Sequence, residues 1–170
     1  RSKLLGAHNA QNIALAAAMA FKLGLSKEEI LQGIEKIDYV PHRLQPTAVR
    51  GVTILDDAYN ANVVGAAAAV EVLRSFEGRK LIVTPGLVEL GVLEERENAE
   101  LGKKLVGLDK VILVGETLVS AVKNGYLAAG GEAEKLITVP TLEAAQDLLE
   151  GELAEGDTVL FLNDLPDIYS

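Results

Sequence analysis

From Lys80 onward the chain alternates short apolar runs with longer helical segments, and this rhythm constrains the fold more than any other feature. Lys80–Thr84, Lys110–Val114, Lys135–Val139 and Thr158–Leu162 are too short for ordinary helices and carry almost no polar alternation. Runs of that kind read as strands buried on both faces. Asn62–Phe76 precedes them, and Glu94–Val106, Thr117–Ala129 and Leu142–Leu149 separate them, each with helical character. Strands joined through helices of this length build right-handed βαβ units on a parallel sheet. An α/β fold with a Rossmann-like, mainly parallel sheet is therefore expected from about residue 40, with the strand holding Ile82 near its centre. Leu44–Val49 and Val52–Asp56 flank Arg50-Gly51 and read as a β-hairpin, expected at one edge.

The first forty residues have a different texture. Gly6–Lys22 is rich in alanine, the best helix former, and Gly24 ends the run. Ser26 then caps a second helix, with Glu28 and Glu29 where negative charge suits the helix dipole, and this helix reaches about Lys36. Pro41 forces Val40 towards an extended conformation, so a domain boundary is placed there. The chain opens Arg-Ser-Lys rather than with Met, which suggests a piece of something longer.

Composition excludes several classes of function. The formal net charge of -9, with no cluster of Lys or Arg, repels phosphate backbones and argues against nucleic acid as a partner. With no cysteine, disulfides, thiolate catalysis and zinc-thiolate sites are ruled out. Two histidines, His8 and His42, are too few for a histidine-rich metal site, so none is assigned. Apolar stretches such as Val63–Val70 fall far short of a membrane span, and no signal peptide is visible, which gives a cytoplasmic expectation with no membrane partner.

Ligands of open α/β sheets bind at the carboxyl ends of the strands, so the polar residues placed there matter most. Asp57, Pro85–Gly91, Gly115 and Asn163–Asp167 all fall at such ends. The densest group is Ile54-Leu55-Asp56-Asp57-Ala58-Tyr59-Asn60-Ala61-Asn62, where a strand runs into carboxylates, a phenol and amides before a helix opens. A cap at Asn62 needs only one of these, and the surplus points to a nucleotide or substrate edge. Asn9 and Asn12 are three residues apart and share a helical face, where paired amides can read the edge of an adenine ring or simply cap the helix. Arg43, beside His42 on the linker, has a planar fork suited to phosphate, although a linker arginine is commonly just solvated. In Thr84-Pro85-Gly86-Leu87-Val88-Glu89-Leu90-Gly91 the glycines permit a tight turn or close approach, and Glu89 faces either a site or solvent. The chain contains neither G-x-x-x-x-G-K-[ST] nor G-x-G-x-x-G, so it lacks the usual cradle for a nucleoside triphosphate.

Taken in order, G-x-H-N-x-x-N, H-R, D-D-x-Y-N-A-N and G-x-x-E-L-G resemble the Mur ligase family, and the resemblance covers essentially the whole chain. Within the family, D-D-A-Y-N-A-N and the closing Phe161–Asp167 are most similar to the branch that adds D-alanyl-D-alanine to UDP-N-acetylmuramoyl-tripeptide. The resemblance implies an ATP-dependent ligase of peptidoglycan biosynthesis that works through an acyl phosphate with ATP and Mg2+. It makes residues 1–39 the closing helices of a central ATPase domain and 40–170 the Rossmann-like C-terminal domain. By the same resemblance Asn9 and Asn12 contact adenine, Arg43 the ATP phosphates and Asp57 the ribose, while Tyr59, Asn60 and Asn62 line the cleft for the incoming substrate. No catalytic set is complete, because the family's P-loop, magnesium ligands and lysine are missing, and this chain is expected to be inactive alone. Val63 replaces the proline that usually presets the next helix, the helix itself is unusually rich in alanine, and Asn163 stands where a glutamate is expected.

Two other readings stay open at this point. One is a stand-alone Rossmann-like binding module, and the other is a related ligase such as a folylpolyglutamate synthase. If the ligase reading holds, Ile13, Leu15, Met19 and Leu23 lose the central domain as their partner. Self-association through these helices is then expected in preference to folding back over a stiff linker, which would separate Asn9, Asn12, Arg43 and Asp57.

Overall fold

Each apolar run becomes a strand. The computed structural model describes residues 2–59 and 62–162. Among these, six strands form one sheet: β1 Gln45–Val49, β2 Val52–Asp57, β3 Lys80–Thr84, β4 Lys110–Val114, β5 Leu136–Val139 and β6 Thr158–Leu162. Their spatial order is β1-β2-β6-β3-β4-β5. Only the β1–β2 pair is antiparallel, and it lies at the edge, while β3 lies inside the sheet as the position of Ile82 predicted. Arg50 and Gly51 both have positive φ, 50° and 79°, the signature of a two-residue hairpin turn that matches the strand twist.

The helices are α1 Ala7–Lys22, α2 Lys27–Glu35, α3 Val63–Arg74, α4 Glu94–Lys104, α5 Val119–Ala128 and α6 Leu142–Glu152. Strand residues alternate between two cores. Leu55, Ile82, Val111, Leu113, Leu160 and Leu162 pack with α3, α4 and α5 on one face. Val52, Leu81, Val83, Ile112, Val114 and Val159 pack with Leu142, Ala145 and Leu149 of α6 on the other. The connections β2–α3–β3, β3–α4–β4 and β4–α5–β5 all step towards the β5 edge. The connection through α6 steps back to place β6 between β2 and β3, and a right-handed crossover running in the reverse direction puts its helix on the opposite face.

Helix ends follow the local chemistry. Ser26 and Glu29 form a reciprocal capping box on α2, and Thr141 caps α6 through Ala144. Alanine-rich α3 buries Ala66, Ala69, Val70 and Leu73, a stripe at helical spacing that lets the helix lie close to the sheet. The α1–α2 pair stands apart from this pattern: neither helix has a buried residue, and Leu15, Met19, Phe21 and Leu23 are 60–80% exposed.

Candidate functional site

The site is assembled from three chain segments. The first enters through Leu5, which packs on the helical face of the core, and Gly6, at φ 89°. A methyl group at Gly6 would lie 2.6 Å from His8 Cε1 and 3.3 Å from Val72 Cγ2, so only glycine lets α1 begin this close to α3. Asn9 Nδ2 donates to the Leu5 carbonyl at 2.8 Å, and the Tyr39 hydroxyl donates to the Lys3 carbonyl at 2.8 Å. The first bond is local to the segment and the second ties it to the chain entering the linker, while Leu5 packs it against the α/β core.

The second segment is the linker Pro41–Leu44, and the third is the carboxyl end of β2. His42 and Leu44 both have positive φ, 60° and 51°, on either side of Arg43. Such conformations cost energy in residues other than glycine and persist only where the surroundings hold them. Here the surroundings are β2 itself. His42 Nδ1 and Asp56 Oδ2 are 2.7 Å apart, the Leu44 N–H donates to Asp57 Oδ1 at 3.0 Å, and the Tyr59 N–H donates to the His42 carbonyl at 3.4 Å. The Arg43 guanidinium carbon lies 4.6 Å from the centroid of the Tyr59 ring, a cation–π distance. The linker is thus stitched to the strand end rather than free to swing.

Asp56 and Asp57 divide the work by strand alternation. Asp56 takes His42 and the Ala58 N–H, whereas Asp57 turns inward beneath Leu44. Burial raises the Asp57 carboxyl above its ordinary value, opposed by the Leu44 N–H and the Arg43 guanidinium. Asn62 caps α3 by accepting from the Gly65 N–H at 2.7 Å, as its position predicted.

These segments enclose a cavity of about 410 Å3 lined by His8, Asn9, Asn12, Arg43, Asp57 and Asn62 among others. The four residues expected to separate are therefore gathered at one site. The expectation failed because Leu5, Gly6 and the Tyr39–Lys3 hydrogen bond dock the start of α1 despite the stiff linker, leaving only the far part of α1 uncovered. Tyr59 is 59% exposed beside the cavity, and Asn60 and the loop 163–167 lie outside the described residues. Glu89 is exposed in its loop, with φ 61°, and lines neither this cavity nor a second one of about 500 Å3 at the carboxyl ends of β3, β4 and β5. Among the described residues no group of three His, Cys, Asp or Glu side chains is placed to hold a metal ion, and no helix is long and apolar enough to cross a membrane.

Sequence reasoning missed both histidines. His8 stands four residues before Asn12, on the same helical face, and that spacing was the available signal. His42 carried none: its partner is 14 residues away, and the pairing exists only because the linker doubles back along β2.

The profile of the Mur ligase, glutamate ligase domain matches residues 42–163. The UDP-N-acetylmuramoyl-tripeptide–D-alanyl-D-alanine ligase of Escherichia coli is 36% identical over 116 residues, covering 66% of this chain and 26% of that protein. The enzyme of the same name from Mycobacterium bovis is 32% identical over 182 residues, covering 94% of this chain and 36% of that protein. Among solved structures, MurF from Acinetobacter baumannii superposes with a TM-score of 0.81 at 31% identity, covering 96% of this chain and 36% of that one. MurF ligase from Thermotoga maritima, solved in complex with ADP, has a TM-score of 0.81 at 25% identity, covering 97% and 36%. The chain spans about a quarter to a third of the length of the relatives it matches. With a mainly parallel six-stranded sheet, the matching profile and these relatives together, the chain belongs to the Mur ligase family and carries its glutamate ligase domain.

Proposed function

We propose that this chain is the C-terminal part of an ATP-dependent ligase that joins D-alanyl-D-alanine to UDP-N-acetylmuramoyl-tripeptide in the cytoplasm. Residues 1–39 then close a central ATPase domain, and 40–170 form the C-terminal domain. The observation that carries the reading is the convergence of Asn9, Asn12, Arg43 and Asp57 on one cavity, although they come from three separate segments. A nucleotide fits these groups chemically. The amides of Asn9 and Asn12 offer donors and acceptors for adenine, the Asp57 carboxylate accepts from ribose hydroxyls, and the guanidinium of Arg43 suits phosphate. The family resemblance assigns Tyr59, Asn60 and Asn62 to the incoming dipeptide, and of these Asn62 lines the cavity.

ATP activates the tripeptide carboxylate as an acyl phosphate for attack by the dipeptide amine. The phosphate loop and the groups that hold Mg2+ are supplied by the rest of the ligase, since no such motif occurs in this chain. What these residues do is hold the nucleoside end and orient Arg43, which the His42–Asp56 pair and the Tyr59 ring keep in place.

Four polar contacts at about 1 kcal/mol each correspond to a Kd on the order of 1 mM for ADP. Nuclear magnetic resonance titration with ADP should show saturable shifts around the cavity, weakened at least fivefold in Asp57→Ala. Absence of saturable shifts at tens of millimolar ADP refutes the nucleotide site. ATP turnover by the chain above a heat-treated control refutes the division of labour.

A further inference from the structure

The second cavity, of about 500 Å3 at the carboxyl ends of β3, β4 and β5, shares no lining residue with the one proposed for the nucleotide. Pro85, Val88, Val114, Leu118, Pro140 and Leu142 give it an apolar lining. Val114 and Leu142 are each only 7% exposed, so part of that lining is the protein core itself.

Hydrogen bonds hold the walls in place. After β3, the Gly86 N–H donates to Thr84 Oγ1 at 3.1 Å, and Asn98 of α4 clamps both backbone groups of Leu87. After β4, the Gly115 N–H donates to the Val139 carbonyl at 2.9 Å, with Gly115 at φ 91°. After β5, Thr141 caps α6 through Ala144. A cavity between turns anchored in this way is formed before any ligand arrives, as small-molecule sites commonly are.

Both charged residues in the lining are glutamates, Glu94 and Glu116. Among the described residues neither carboxylate makes a hydrogen bond or an ion pair. The helices that start beside the cavity do not call for an anion either. The first turn of α4 already carries Glu94, Glu95 and Glu97, and that of α6 carries Glu143. A ligand here has apolar surface to cover and gains by bringing positive charge, whereas an anion is repelled by both glutamates. The Thr117 hydroxyl, also in the lining, can accept from an N–H. We infer that this cavity binds a small organic cation, a protonated amine on a compact apolar body, with Glu94 and Glu116 taking the charge and Val114, Leu118 and Leu142 the hydrocarbon. Because the two cavities share no residue, binding here does not depend on the nucleotide site.

Cyclohexylammonium, cyclohexanol and cyclohexanecarboxylate have the same ring and differ in charge. Each is titrated at constant ionic strength into the 15N-labelled chain, followed by proton–nitrogen correlation spectra, with ADP titrated separately to read the other cavity. The amine should give saturable shifts at Gly115, Glu116, Leu118 and Leu142. The alcohol should bind about fivefold more weakly, and the carboxylate should give no saturable shift. Combining Glu94→Gln with Glu116→Gln should lower the amine to the affinity of the alcohol and leave the alcohol unchanged, with a urea midpoint to establish folding. The charge series on wild type decides the matter even if that variant does not fold. An amine no tighter than the alcohol, a carboxylate that binds, or a folded double variant that keeps the full amine affinity overturns the inference. So does the absence of saturable shifts with all three probes.

Discussion

Replacing Gly125 with alanine should force apart the two helices that hold the loop after β3. Gly125 lies in α5, where a methyl would sit 1.9 Å from the Ala99 carbonyl oxygen and 2.6 Å from its carbon on α4. The contact is reciprocal: a methyl on Gly102 of α4 would sit 2.0 Å from the Val122 carbonyl oxygen and 2.7 Å from the Tyr126 nitrogen. Both obstacles are backbone, which cannot rotate away as a side chain can. Restoring ordinary van der Waals contact, which begins at 3.4 Å, requires the helices to withdraw by roughly 1.5 Å. A gap of half that size already forfeits a quarter to a half of each dispersion contact. Leu101, Leu105, Val119, Val122 and Tyr126 are buried on these two helices or directly beside them. At roughly 1.5–3 kcal/mol for burying each, losing about a third amounts to ~3 kcal/mol. The better helix propensity of alanine offsets about 1 kcal/mol, leaving a net loss of about 2 kcal/mol. Urea unfolding followed by circular dichroism measures it, with Gly151→Ala as control, because a methyl there meets nothing within 4 Å. A Gly125→Ala variant within about 0.5 kcal/mol of wild type would refute the close-packed seam. The loss should reach the loop after β3 too, since Asn98 of α4 holds Leu87 by accepting from its N–H at 2.7 Å and donating to its carbonyl at 2.9 Å.

Asp157 is buried and accepts from Arg79 and from the Ala154 N–H, and the Arg79 side-chain hydrogen bond holds its carboxyl below the ordinary 3.8. Its contribution is therefore complete above that value and lost as pH falls through the depressed one; Asp157→Ala should cost about 2–3 kcal/mol at neutral pH, and a loss that persists undiminished in strong acid would contradict the assignment. Asp57 has the opposite sign: burial raises its carboxyl, so its stabilising effect is present below 3.8 and disappears as pH rises through the folded value. The Asp57→Asn variant should consequently be more stable than wild type at neutral pH yet bind ADP more weakly, and urea midpoints that are equal at pH 7 would refute the burial penalty. Leu15, Met19 and Leu23, at i, i+4 and i+8, leave an apolar stripe along α1 and its end, so the chain should self-associate on sedimentation and become monomeric in Leu15→Lys with Met19→Lys; a wild type that stays monomeric at all concentrations would count against pairing.

Local chemistry determined the elements. Four apolar runs read as strands from their length and lack of polar alternation; three became interior strands, while the fourth, β5, closes the sheet at its edge with Thr138 exposed. Ser26, Asn62 and Thr141 mark helix starts because their side chains satisfy backbone donors only a few residues away. The motif residues around Asp57 were likewise legible, because strand ends are where an α/β sheet exposes its polar groups. Tertiary structure alone decided the rest. A strand apolar on both faces does not reveal which neighbour it will take, so the insertion of β6 between β2 and β3 had no local signature. The docking of α1, the strained conformations beside Arg43 and the His42–Asp56 pair depend on segments that meet only after the sheet has formed. The space that a side chain at Gly6 would need is taken by the His8 ring and Val72 of α3, a close approach that only the assembled fold creates. Short-range hydrogen bonding and hydrophobic period are written residue by residue, whereas the site is a set of distances between segments, and those distances are set by packing.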